Sequence, residues 1–364
     1  MIDVAKIAEF ETRVTRLGIV VEPSGDPHEI EGVLNPGSAR TRDEKLLLYP
    51  RFVAEGNVSR VGIVEADADR RVFRRMGLAL EPQEVFELHN PPRGYGCEDP
   101  RVTFIPVLDA YVMAYVAFGP PGPRIALALS PDGYRWERLG LVDFSGAGIV
   151  EGDDKDAAFF PDPVISPAGV RSLAFYHRPL MRLSKMAYYQ PLPEAVLALP
   201  PRERESIRIA YVPLDAVLAD RKALLSARES VLVVEPAETW GQLKTGAGTP
   251  PVAIEEGWLS VYHAVDSLAS PGEKLVRWYS AGIIIHDRER PHILRYRSPK
   301  PILEPETADE LRGTADNVVF PTAIDRVPGD PARTFEIYYG MADSRIGRAR
   351  LELGGSTLAP SDVN

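Results

Sequence analysis

The sequence predicts an all-β fold, a five-bladed β-propeller, from three observations. Apolar and β-branched residues alternate from about residue 30 onward. Five apolar runs carry a tyrosine near the middle: LLLYPRFV (46–53), YVMAYVAF (111–118), LAFYHRP (173–179), WLSVYHAV (258–265) and FEIYYGMAD (335–343). Each is preceded by a short polar segment with a proline and followed by a second strand-like run. A unit of several strands that recurs every roughly 65–85 residues fits radial repetition around a channel.

The elements follow in order. Residues 1–25 read as a short amphipathic helix with Val4, Ile7, Ala8 and Phe10 on one side, so 1–30 form an N-terminal helical extension. Residues 31–354 form the propeller, and 355–364 a flexible tail. The polar segments are NPGSAR (35–40), EDPRV (98–102), KDAAFFP (155–161), GAGTPP (246–251) and NVVFPT (317–322). SPDGYRW (130–136) carries the Asp-Gly signal of a hairpin turn. LDAVLADRKALLSARE (214–229) reads as a helical excursion between blades.

In a propeller the first strand of every blade lines the axis, so the five polar segments converge there. They bring Asn35, Glu98, Asp99, Arg101, Lys155, Asp156, Thr249, Asn317 and Thr322. The tyrosine strands add His177, Arg178, His263 and Asp343, and Arg60 opens a second strand. Polar groups gathered in such a pocket must serve a ligand. Carboxylates and amides suit sugar hydroxyls, and a group of Arg, Lys and His suits an oxyanion such as phosphate.

Bulk properties narrow the partners. A net charge of −10 argues against nucleic acid and anionic membranes. Cys97 is the single cysteine, which fits a reducing compartment. The start lacks a signal peptide's pattern, and no apolar run approaches the roughly 18 residues of a membrane span. The expectation is a cytoplasmic protein without a membrane partner, with room for a homo-oligomer through the N-terminal helix. No zinc spacing, phosphate-binding glycine loop or nucleophile elbow is present, so metal-free acid/base chemistry on a carbohydrate is the natural reading.

The motifs NPGS, GCEDPRV, KDAAFFP, FYHRP, KTGAGTPP, GWLSVYHAV, NVVFPT and YYGMAD resemble glycoside hydrolase family 130, the β-mannoside phosphorylases, from about residue 33 to 350 and in the family's order. The family's fold is a five-bladed propeller. The resemblance implies inverting phosphorolysis of a β-mannoside to α-mannose 1-phosphate, with inorganic phosphate as co-substrate and no metal. By motif position Asp99 resembles the general acid, which passes its proton through a mannose hydroxyl. Arg60, Lys155, Lys244 and His263 resemble the phosphate cradle. Asn35, Arg101, Asp156 and Asp343 match positions that hold mannose hydroxyls, with His177 and Arg178 as a pocket wall. A cradle of cations should also accept sulfate in competition with phosphate. The alternatives are a β-mannoside hydrolase on the same fold and a non-catalytic sugar-binding propeller. Other five-bladed sugar enzymes need an added catalytic carboxylate pair that the sequence does not place.

Overall fold

The computed structural model of the chain describes residues 6–88, 94–149, 152–180, 193–268, 276–327, 329 and 333–358. Among these the strands form four sheets: the first two four-stranded antiparallel meanders share one eight-stranded sheet through a short parallel pairing of Val58 and Ser59 with Tyr95 and Gly96, and three further sheets hold one four-stranded meander each, two of them with a short extra strand. The first runs Gly32–Arg40, Leu46–Ala54, Val58–Ala66, Phe73–Leu80, and the second Tyr95–Ile105, Ala110–Gly119, Gly122–Ser130, Glu137–Leu141. The third contains Asp154–Phe159, Arg171–Pro179, Ile207–Pro213 and Glu229–Val234. The fourth contains Lys244–Ala247, Gly257–Leu268, Val276–His286 and Leu294–Arg297. The fifth contains Val319–Arg326, Thr334–Met341 and Arg345–Leu358, and takes its outer strand, Ile7–Val21, from the start of the chain. In four of the five units the polar segment is the first strand or leads into it; in the fourth unit it runs out of the end of the first strand, Lys244–Ala247, and in each the tyrosine run is the second strand. The described chain is thus all-β with a few short helical turns.

Alternation along the strands sends side chains to both faces of each sheet. An apolar core fills the space between each unit and the next. Leu47, Tyr49, Val61 and Ile63 meet Val102, Met113 and Tyr115 between the first and second units. Ile125 and Leu127 meet Phe159 and Phe175 between the second and third. Tyr176 and Ile209 meet Trp258 and Tyr262 between the third and fourth. Ile283 and Ile285 meet Ile337 and Tyr339 between the fourth and fifth. Leu48, Phe52 and Val64 meet Tyr338 and Ile346 between the fifth and first. That last junction also carries ion pairs, Arg40 with Asp325 at 2.8 Å and Arg70 with Glu336 at 2.6 Å. The tyrosines are therefore packing residues. Truncating one to alanine removes about 3–5 kcal/mol, the usual loss for a large core aromatic.

Three sequence expectations change. The N-terminal segment is a strand, not a helix: Ile7–Val21 pairs antiparallel with Arg345–Leu358. The physical reason is twofold. The last strand of the chain has an edge that needs hydrogen-bond partners. Irregularities between Ile7 and Glu9 and between Phe10 and Thr12 then turn both Ile7 and Phe10 into the core. Their three-residue spacing is what imitates a helix face; Val4 lies outside the described residues. The excursion after residue 213 is helical only over Leu214–Ala219 and Arg221–Leu225, and Glu229 already begins a strand. The expected tail from 355 is strand as far as Leu358, with 359–364 outside the described residues. No helix among the described residues is long and apolar enough to cross a membrane.

Candidate active site

One local device repeats in the first strands. Pairing with the neighbouring strand slips between Leu34 and Gly37, between Glu98 and Arg101, and between Lys155 and Ala158. At each slip an Asx residue takes a left-handed backbone: Asn35 at φ 43°, Asp99 at φ 46° and Asp156 at φ 63°. Asn and Asp tolerate this conformation better than other side-chain-bearing residues. A bulge of this kind re-aims a side chain out of the ladder. Asp343 (φ 49°) uses the same conformation in the tight turn after the fifth tyrosine strand.

The aimed side chains meet in two buried groups. In the first, Arg51 Nη2 lies 2.9 Å from Glu98 Oε1 and Arg51 Nη1 3.3 Å from Asp99 Oδ1. Lys155 Nζ donates to Glu98 Oε2 at 3.1 Å, and Asn35 Nδ2 donates to Asp99 Oδ1 at 2.9 Å. Asn35 Oδ1 has no partner among the described residues. Burial pushes the Asp99 carboxyl up, but Arg51, Lys155, Arg101 and the Asn35 amide outweigh it and hold it below the usual range. For Lys155, burial favours the neutral amine, yet Glu98 and Asp99 hold the ammonium's pKa above its ordinary value. Asp343 goes the other way: burial, with repulsion from Asp99 and Glu98, lifts it to about 6 against the pull of Arg51 and Lys155.

In the second group, Asp156 Oδ2 accepts from Arg178 Nε at 2.6 Å, and Asp156 Oδ1 lies 3.4 Å from Arg101 Nη2. Arg178 Nη1 pairs with Glu205. His263 Nε2 stands 3.6 Å from Asp156 Oδ2. The His263 ring is fully buried against Phe320, and neither ring nitrogen has a hydrogen-bond partner among the described residues. Burial first, then the Arg178, Lys244 and Arg101 charges, push His263 down to about 3 against the pull of Asp156, so the ring is neutral. Burial raises the Asp156 carboxyl, but Arg178, His263 and Arg101 together hold it well below its usual range. Lys244 Nζ rests 5.1 Å over the Tyr279 ring with no carboxylate partner among the described residues.

Arg101 is the wall between the groups. It donates to the backbone oxygens of Asp99, Ala247 and Gly248 at 3.1 Å each, and reaches Asp156 from the same guanidinium. With 1% of its surface exposed it is buried between them.

Most residues read from the sequence thus come together: Asn35, Asp99, Lys155 and Asp343 in the first group, Arg101 between, and Asp156, Arg178, Lys244 and His263 in the second. Two do not. His177 is fully buried, its Nδ1 2.7 Å from Asp154 and its Nε2 2.8 Å from Ser230 Oγ. Successive strand residues face opposite ways, so Arg178 enters the pocket and His177 stacks on Phe144 behind it. Arg60 sits opposite Phe52, and among the described residues no hydrogen bond or ion pair joins it to either group; its Nε and Nη1 are buried without partners. Sequence reasoning missed Arg51 and Glu205. Arg51 carried a signal, a lone cation inside the apolar run LLLYPRFV. Glu205 lies in the charged stretch RERES and carried none.

Comparison with known proteins identifies the family. The glycoside hydrolase family 130 profile, described as beta-1,4-mannooligosaccharide phosphorylase, matches residues 205–354. The 1,2-beta-oligomannan phosphorylase of Thermoanaerobacter sp. (strain X514) is 30% identical over 261 residues, 71% of this chain and 69% of that protein. The solved structure of beta-1,2-mannobiose phosphorylase from Listeria innocua superposes with a TM-score of 0.68 at 20% identity, covering 93% of this chain and 96% of that one. A structure described as showing glycoside hydrolases within the same family, directed at beta-1,2 mannosidic linkages, superposes equally well, with a TM-score of 0.68 at 18% identity over 96% and 95% of the two chains. The chain belongs to glycoside hydrolase family 130.

Proposed function

We propose that the protein is an inverting β-mannoside phosphorylase, built as a five-bladed propeller whose hub is the pocket described above. Support for the propeller is the five like meanders, each packed on the next and the fifth on the first. The observation that carries the phosphorolysis reading is the neighbouring pair of unlike groups. One holds carboxylates around Asp99, and the other holds Lys244 and a His263 with both nitrogens unpartnered, beside Arg178. The first suits a proton donor with sugar hydroxyls around it; the second suits a small anion.

In the proposed reaction the mannosyl unit lies against Asn35, Asp99 and Asp343. Phosphate lies toward Lys244 and His263, with Lys155 at the border between the groups. A phosphate oxygen attacks the anomeric carbon as the glycosidic C–O bond breaks on the opposite face. Asp99 gives its proton, through a mannose hydroxyl, to the departing oxygen. No second carboxylate is needed to activate a nucleophile, because phosphate is already an anion. The depressed pKa of Asp99 describes the free enzyme; a bound phosphate and a sugar that excludes water both raise it toward that of a working acid.

The experiment is turnover of mannobiose with and without inorganic phosphate, reading mannose 1-phosphate and free mannose. Phosphate-dependent mannose 1-phosphate, abolished in Asp99→Asn, is expected. Unchanged turnover in phosphate-free buffer with free mannose accumulating makes the protein a hydrolase. Sugar binding without turnover under either condition makes it a binding module.

A further inference from the structure

We propose that Glu98 is a positioning residue for the acid: it holds Arg51 and Lys155 back from Asp99, so that Asp99 can carry the proton it must give. The proposal rests on the phosphorolysis reading above and goes past it, because phosphorolysis as described gives Glu98 no part. Glu98 and Asp99 are neighbours in a strand, where successive side chains face opposite ways. Here the pairing slips between Glu98 and Arg101, and Asp99 takes a left-handed backbone at φ 46°. The slip lets both carboxylates meet one guanidinium, that of Arg51.

The two carboxylates do not share the cations evenly. Arg51 lies 2.9 Å from Glu98 and 3.3 Å from Asp99. Lys155 Nζ lies 3.1 Å from Glu98 Oε2 and forms no ion pair with Asp99 among the described residues. Each Glu98 oxygen therefore engages one of the two cations that face Asp99. The Glu98 side chain is 4% exposed, so water screens neither pair well. The other groups facing Asp99 are fixed. Arg101, from the same strand, is pinned by the backbone oxygens of Ala247 and Gly248. Asn35 donates its amide to Asp99. Asp343, from the turn after the fifth tyrosine strand, opposes Asp99 as a second carboxyl. Arg51 is anchored through Nε on Ser59 Oγ at 2.9 Å, so its fork is divided between Glu98 and Asp99. Lys155 has a longer reach and a partly exposed side chain. Without the Glu98 charge both cations would serve Asp99 alone, and a carboxylate held that way stays ionised and cannot donate.

The bland alternative is that Glu98 merely ties its strand to the neighbours, and a pH profile separates the two. The kcat for phosphorolysis of mannobiose is measured from about pH 5 to about pH 9, at saturating mannoside and phosphate, for the full chain, Glu98→Gln and Glu98→Asp. The alkaline limb, where the acid loses its proton, should lie about one unit lower in Glu98→Gln, because a lost anion and two released cations both favour the Asp99 carboxylate. Turnover above the limb then falls about tenfold, and turnover below it less than about threefold. Glu98→Asp keeps the charge and should hold its limb within about 0.3 unit of the unaltered protein. A Glu98→Gln that loses rate equally at every pH, or whose limb moves up, overturns the proposal and leaves the phosphorolysis reading standing. Lys155→Gln carries the opposite sign. Removing a cation should move the limb about one unit up, and a limb that stays or falls overturns the proposal even if Glu98→Gln does not fold. Absence of phosphate-dependent turnover by the unaltered protein overturns both.

Discussion

Replacing Asp343 with Asn should make the protein more stable and less active. Asp343 sits at about 6 against an ordinary 3.8, a rise of about 2 units. At 1.36 kcal/mol per unit that is about 3 kcal/mol of preference for the protonated form, reduced to about 2 kcal/mol because the side chain is only half-buried. The raised value fixes the sign. A carboxyl that is harder to ionise when folded gives its full stability below about pH 4. That stability is lost as pH rises through about 6, where the folded state must carry a charge its surroundings resist. Asn never ionises, so the variant escapes the loss. The unaltered protein and Asp343→Asn should therefore melt together near pH 4. They should diverge with rising pH until the variant leads by roughly 2–3 °C at pH 8, given the unfolding entropy of a chain this long. Thermal melts read by tryptophan fluorescence at pH 4.5, 6 and 8 make the test. A variant less stable at pH 8, or a gap that does not change with pH, refutes the account. Turnover should drop at the same time, since a group kept at an energetic disadvantage is expected where it meets substrate.

Two further outcomes follow from the charge layout. Lys244→Ala should raise the KM for phosphate about 10–100-fold, the loss of one charged hydrogen bond, and move the KM for the mannoside less than about threefold; equal changes in both contradict an anion role. Arg51→Gln should lower stability by about 3 kcal/mol at pH 7.5, because Glu98 and Asp99 lose a buried partner, with a smaller loss at about pH 3, below the unfolded carboxyl range. The depressed Asp99 contributes stability above the unfolded carboxyl range and loses it as pH falls, so a loss of equal size at both pH values, measured by urea unfolding, sinks that reading.

The repeat was legible because packing imposes it: a tyrosine must fill the same space between sheets five times, and it recurs visibly. The bulged Asx residues were legible as NP, DP and KD pairs at the head of the first three repeats, though not as left-handed positions, since no spacing encodes φ. His177 and Arg178 show where the reading fails. Two polar neighbours on one strand look equally placed until the register says which faces the hub. Arg51 was overlooked because an arginine in an apolar run resembles a strand-edge charge. Only the approach of Glu98, 47 residues away in the chain, gives it a purpose. The first strand was misread because its partner is more than 320 residues distant, and local periodicity cannot report a pairing of that range.

The division of charge between the two groups bears on how acid and nucleophile are timed. The first group sets Glu98, Asp99 and Asp343 against Arg51 and Lys155, an excess of carboxylate that raises the proton affinity of Asp343. The second sets Arg101, Arg178 and Lys244 against Asp156 and Glu205, an excess of cation that awaits an anion. Arg101 touches both through Asp99 and Asp156, so neither group changes charge unnoticed by the other. When phosphate enters, its negative charge cancels the cations that depress Asp99, and the proton affinity of the first group rises in the same event. In this arrangement the nucleophile's arrival makes Asp99 a better proton donor. On the proposed phosphorolysis, a mannoside bound alone would meet an ionised Asp99 and no nucleophile, which would protect it from cleavage by water until phosphate is in place.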